Sequence, residues 1–287
     1  MIPSPVIQLT RTIRLAVSPL QTHRPGDGGP RRNTFASWPT PDALAAWYEL
    51  DVTMVGEPDP GTGYLLGIDV IDEAVRARAL PLLSDAFVER SEEPATSILV
   101  RLAESIAGEL GADCNEVRWR ITPRHELCWK RPRTPQLEPT DSNMTTPLST
   151  EIQIRERFEF AAAHRLHCPD RSDQWNLDTF GKCNNPSGHG HNYEVEVAVA
   201  CRVDEKGEAV LPITTLEEIV DEQVISRFDH RHLNDDCPEF ADRNPSVENI
   251  TITCHQLLSE PIKSAHGRLI SVTVWETGKT SCTYPAD

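Results

Sequence analysis

Two pairs of segments 145 residues apart share one pattern: WYELDVTM (47–54) lies on NYEVEVAV (192–199), and LLGIDVIDEAV (65–75) on VLPITTLEEIV (210–220), apolar residue on apolar residue. After small shifts in offset, PATSILVRLAESI (94–106) matches PSVENITITCHQL (245–257), and NEVRWRITP (115–123) matches RLISVTVWE (268–276). Such a repeat requires both halves to adopt one local architecture, so it constrains the fold more than composition does. Between the halves, residues 131–150 hold four prolines and many Ser/Thr without an apolar period, which predicts a linker. The expected organisation is one domain over 1–130, a linker over 131–150 and a second domain over 151–287.

The second half is the easier to read. EIQIRERFEFAAA begins a strand-like run, and HNYEVEVAVACRV puts Tyr193, Val195, Val197, Val199, Cys201 and Val203 on one face with Glu194 and Glu196 opposite, as in a half-buried antiparallel strand. TTLEEIVDEQVISRF spaces Leu216, Ile219, Val220, Val224 and Phe228 at helical intervals, with Thr214/Glu217 or Thr215/Glu218 as a capping box. A second helix is expected from Ser246, burying Ile250, Cys254, Leu257 and Leu258 until Pro261 stops it. Strands over 268–276 and 279–284 complete the order β-β-α-α-β-β, and the first half repeats that order.

A chain of 287 residues is long enough for two domains. Its formal net charge of -16 argues against broad contact with nucleic acid or an anionic membrane. The first twenty residues are interrupted by Arg11 and Arg14, so they lack a signal-peptide core, and nothing later approaches a membrane span; a cytoplasmic protein is expected. Eight cysteines without CxxC pairs read mostly as free buried thiols.

The chemistry concentrates in KCNNPSGHGHNY (182–193). His189 and His191 flank a glycine at a strand start, so both point to one face, about 6–7 Å apart by strand geometry, close enough to share a metal. His164 or His167 in AAAHRLH could supply a third imidazole, and three neutral imidazoles with an open position describe a catalytic zinc site. Cys183, in a Gly/Asn/Pro loop, could serve there as a base or nucleophile with a lowered pKa. Asp229 beside His230 is a carboxylate–imidazole pair able to move protons, and Glu276 at the end of LISVTVWE could grip an amidine-like group through two hydrogen bonds. In the first half the corresponding positions are Pro19 for His164, Leu44 and Ala46 for His189 and His191, Trp38 for Cys183, and Ser84 and Asp85 for Asp229 and His230. None of that polar set is repeated, and eight of the ten histidines follow the linker, so the second half supplies the site.

GKCNNPSGHGHNY, with AAHRL, FDHRHLN, VEN and VWET, closely resembles the 6-pyruvoyl tetrahydropterin synthase family of the tunnelling fold, over about residues 152–285. The resemblance implies an α+β chain of two tandem tunnelling-fold domains, the first a degenerate copy without a metal site. Each would be a four-stranded antiparallel sheet with two helices on one face. It implies Zn2+ held by His164, His189 and His191, which demotes His167. Cys183 would be the general base, Asp229 and His230 its proton-relay partners, and Glu276 the anchor of the pterin's 2-amino and ring N–H groups. The implied substrate is 7,8-dihydroneopterin triphosphate, and the implied assembly a homo-oligomer that closes a barrel through its sheet edges. Five residues between Cys183 and His189 resemble the pyruvoyl-forming branch more than the 6-carboxytetrahydropterin synthases of the queuosine (7-deazapurine) pathway, which stand as the alternative. A pterin-binding or structural module without turnover is a third reading. Ser246 and Val247 stand where the family often has two hydroxyl residues, and Arg165, Lys182 and Arg231 are cations near the motifs that could meet a triphosphate.

Overall fold

The computed structural model describes residues 5–18, 44–88, 92–132 and 150–286. Pro19, Trp38 and nearly all of the expected linker lie outside the described residues. The chain divides into two compact units, Met1–Gln153 with Arg202–Ala209, and Ile154–Cys201 with Val210–Asp287.

In the first unit, β1 (Ile7–Val17), β2 (Ala46–Gly56), α1 (Ile68–Val88), α2 (Ala95–Leu110), β3 (Cys114–Arg120) and β4 (His125–Lys130) follow one another, and the strands pair antiparallel in that order. Period-two alternation gives the sheet two unlike faces. Ile13, Leu50, Val52, Val117, Trp119 and Leu127 are buried, as are Ile71, Val75, Leu99, Leu102 and Ile106 of the helices. The other face is a polar ladder: Thr12 donates to Asp51 at 2.6 Å, Arg14 meets Glu49 at 2.9 Å, and Arg120 bridges Glu49, Asp51 and Glu126. Arg11 departs from this scheme, crossing to α1 to clasp buried Asp72 through Nε (3.2 Å) and Nη2 (2.8 Å).

The second unit contains β5 (Glu151–His164) from Ile154 on, α3 (Asp173–Phe180), one 3-10 turn (Gly181–Asn184) and β6 (His189–Arg202) as far as Cys201. These are followed by α4 (Ile213–Val220), a π-turn (Asp221–Ile225), α5 (Ser226–Phe228), β7 (Arg231–His232), α6 (Leu233–Asp236), α7 (Val247–Ser264), β8 (Arg268–Thr277) and β9 (Thr280–Tyr284). The sheet order is β5-β6-β8-β9, with short β7 parallel to β5. Tyr193, Val195, Val197, Val272 and Val274 are fully buried, as are Leu216, Val220, Phe228, Ile250, Cys254 and Leu258 of the helical segments. At about 1.5–3 kcal/mol for each large apolar side chain, this core is the main stabilising term of the unit. Its opposite face repeats the polar ladder, with Arg155 and Arg157 on Glu196 and Thr273 bonded to Thr283.

The long elements therefore follow the expected order in both units, but three local expectations are corrected. No capping box forms at Thr214 or Thr215: the helix begins at Ile213 after Pro212, which holds φ -60° and ψ 148° and accepts Leu216 N–H on its carbonyl, so both threonines fall in the first turn. The stripe from Leu216 to Phe228 is not one α-helix, because a π-turn over Asp221–Ile225 interrupts it. Pro261 does not end α7, which runs to Ser264; the proline forgoes one backbone bond, while Ile262, completely buried, keeps the last turn packed. Ser246 does cap α7, its hydroxyl accepting Asn249 N–H. All eight cysteines are free, five of them buried. No helix among the described residues is long and apolar enough to cross a membrane.

Candidate metal centre

β5 ends and β6 begins at the same corner of the second unit. Gly188 makes the turn into β6 with φ 71°, and a Cβ there would stand 2.6 Å from His232 Nε2 and 3.1 Å from His164 O, so only glycine fits. His189 and His191 then project from one face of β6 towards His164, the last residue of β5. The three ring centroids lie 4.5, 4.7 and 5.2 Å apart, and one nitrogen from each ring falls within 4.8 Å of the others. His167 is not in this group; its Nδ1 lies 3.0 Å from Asn184 Oδ1 and 3.2 Å from Arg165 Nη2.

The donor set suits a divalent metal. His164 is completely buried and its Nδ1 donates to Pro245 O at 2.7 Å, which leaves Nε2 as a lone pair facing His189 Nε2 at 3.1 Å. Tetrahedral zinc with Zn–N near 2.0–2.1 Å sets its nitrogens about 3.3 Å apart. His191 Nε2 is buried without a hydrogen-bond partner. Burial holds His164 down to about 4, and burial followed by the neighbouring His191 lowers His189, so both are neutral, metal-competent imidazoles at neutral pH. Glu276 Oε1, from β8, stands 3.5 Å from His164 Nε2 and 3.7 Å from His191 Nε2, an anion on the side where a cation would bind.

Cys183 sits half-buried in the 3-10 turn. In the metal-free chain its thiol is raised, by burial first and by the charge of Glu276 second. Asp229 and His230 emerge where the broken helix ends. His230 adopts φ 58°, its N–H donates to Ala161 O at 2.6 Å and its Nδ1 to Asp229 Oδ2 at 2.7 Å, while Asp229 Oδ1 accepts Ala161 N–H at 2.8 Å. The bond from Ala161 N–H, then that from His230, lowers Asp229. Among the described residues neither member bonds to Cys183; the pair closes on itself and on the β5 backbone. An open cavity of about 560 Å³ joins His191 to His230, Arg231 and His232 over a floor of Ala161–Ala163 and Gly190. That volume accommodates a small organic molecule.

The sequence model of the 6-pyruvoyl tetrahydropterin synthase family matches residues 153–287. The human 6-pyruvoyl tetrahydrobiopterin synthase is 36% identical over 137 residues, which span 48% of this chain and 93% of that protein. This chain belongs to the 6-pyruvoyl tetrahydropterin synthase family. A putative 6-carboxy-5,6,7,8-tetrahydropterin synthase of Archaeoglobus fulgidus is 38% identical over 72 residues, 25% of this chain and 56% of that one. The solved Caenorhabditis elegans 6-pyruvoyl tetrahydropterin synthase, 34% identical, covers 48% of this chain and 98% of its own, with a TM-score of 0.45.

Two residues of this family member went unread in the sequence. His232 packs its Nε2 against Gly188 and lines the cavity, and it was findable, because it follows His230 by the same two-residue step that paired His189 with His191. Tyr193, read only as a core position, brings its hydroxyl to 3.3 Å from His164 Nδ1. No spacing rule could have found that contact, which depends on how β5 and β6 lie side by side.

Proposed function

We propose that this chain is a zinc-dependent 6-pyruvoyltetrahydropterin synthase, a lyase that converts 7,8-dihydroneopterin triphosphate to 6-pyruvoyltetrahydropterin and triphosphate. The observation that carries the reading is the convergence of three imidazoles in a member of this family, with Glu276 near two of them and its charge acting on the Cys183 thiol. His164, His189 and His191 would hold zinc, which when bound polarises substrate oxygens and adds positive charge next to the Cys183 thiol. Cys183 would take the proton from the substrate side chain as general base. Glu276 would accept the pterin's 2-amino and ring N–H groups, a planar pair suited to a carboxylate. Asp229 would hold His230 in the tautomer that carries the proton on Nδ1, leaving Nε2 to pass protons at the cavity.

Residues 151–287 would form the catalytic domain, and 1–130, joined through 131–150, a degenerate copy that supports it. The two ββααββ successions and the shared polar ladder support descent by duplication. Sheet-edge association of such chains into a closed barrel would leave fewer unpaired strand edges in solvent.

Zinc-loaded protein incubated with 7,8-dihydroneopterin triphosphate should release triphosphate and a pyruvoyl pterin without acetaldehyde, read by mass spectrometry. Stoichiometric acetaldehyde with a 6-carboxypterin would replace the reading by the carboxy branch, and absence of turnover would leave a binding module. Cys183→Ala should lower turnover by about 10²–10⁴ while zinc content is retained.

A further inference from the structure

β5 leaves the sheet at His164, so the next residues, Arg165 to Cys168, have no ladder to answer their backbone polar groups. Half-buried backbone groups of this kind need other partners. Asparagine side chains provide them. Asn234 takes Arg165 N–H (2.8 Å) and donates to Arg165 O (3.0 Å), Asn244 takes His167 N–H (2.8 Å), and fully buried Asn176 takes Cys168 N–H (2.7 Å) and donates to Cys168 O (2.9 Å). The segment directly after a candidate metal ligand is thus fixed along its length.

From that fixed segment three groups reach the Cys183 turn. Leu166 N–H donates to Cys183 O at 2.9 Å. Arg165 donates through Nε to Asn184 O at 3.3 Å and through Nη2 to Asn184 Oδ1 at 3.2 Å, and His167 Nδ1 lies 3.0 Å from the same Oδ1 and 3.2 Å from Arg165 Nη2. The turn needs holding, because Gly181 (φ 54°) and Gly188 (φ 71°) flank it as two permissive pivots.

We propose that Arg165, His167 and Asn184 form a clamp that fixes the Cys183 thiol relative to His164, so that Arg165 is a positioning residue and not a ligand for the substrate's phosphates. The kinetic side of this inference rests on Cys183 acting as the base; the clamp itself does not. Two of Arg165's donors are fixed on Asn184 by the planar fork, a geometry that lysine cannot reproduce although it keeps the charge.

The test uses Arg165→Lys and Asn184→Ala in the full chain, each checked for an unchanged thermal melt, with two readouts. The first is the rate at which iodoacetamide modifies Cys183 at fixed pH, followed by peptide mapping; the second is steady-state kinetics. A freed turn should raise the modification rate several-fold in both variants and lower kcat by roughly 100-fold, the cost of an ångström-scale misplacement, with KM unchanged. A phosphate ligand at Arg165 would instead raise KM in Arg165→Lys and leave Cys183 modification as in the parent, which overturns the clamp. Unchanged modification in both variants overturns it as well. Should the parent protein show no turnover, the functional reading fails while the modification rates still decide the clamp.

Discussion

The two units use one succession of long elements and differ where a helix stops. In the first, α1 runs unbroken from Ile68 to Val88 and carries Ser84 and Asp85 inside it. In the second, the matching stretch passes into a π-turn at Asp221–Ile225 and ends at Phe228, so Asp229 and His230 leave the helix, His230 turns left-handed, and β7 lies beside β5. Strand starts differ in the same way. Leu44, opposite His189 in sequence, is 90% exposed, whereas His189 and His191 face a buried His164. A shared scaffold therefore gives similar sheets; the histidine cluster stands at strand ends, and the Asp229–His230 pair arises where the helix is interrupted.

The sharpest way to break this comparison is to remove a ligand. His191→Ala should abolish stoichiometric zinc binding and turnover, measured by metal analysis and product assay; full retention of zinc would mean that the three-histidine cluster is not the centre.

Acid stability comes next. His164 titrates near 4 in the folded, metal-free protein against 6.5 unfolded, so below pH 6.5 the unfolded chain binds a proton that the native state refuses. The metal-free protein should keep this contribution above pH 6.5 and lose up to about 3 kcal/mol as pH falls towards 4, a decline visible in urea midpoints. His164→Gln should flatten it, and a parent curve that is already flat would overturn the assignment. Positions matching the histidine cluster in the first unit carry no titrating group at Leu44 or Ala46, so the decline belongs to the second unit.

The smallest effect separates the units by stability alone. Asp72→Asn weakens the clasp on Arg11 and should cost about 1–3 kcal/mol in chemical denaturation, leaving zinc stoichiometry and turnover as in the parent. Loss of zinc in that variant would show that the two units do not behave as the separate chemistries described above.

Much of the fold was legible because it follows from periodicity. Alternation from Tyr193 to Cys201 and the stripe from Leu216 to Phe228 each describe burial of one face, and burial is what sheets and helices need from a sequence. Interruptions were less legible. Pro261 is tolerated because Ile262 is buried behind it, and the π-turn leaves the apolar spacing of its helix intact, so neither carries a local mark.

The sequence alone determined the repeated order of elements, the confinement of the polar constellation to the second half, and the pairing of His189 with His191, all of which follow from spacing along a single segment. Spacing left His164 and His167 open until the family resemblance favoured His164; tertiary structure brought His164 to the pair, directed Arg165 and His167 to Asn184, and set Glu276 against the imidazoles. Those choices join segments tens of residues apart. They depend on where β5, β6 and β8 lie side by side and on which buried groups can answer one another's hydrogen bonds, a condition that no local pattern encodes.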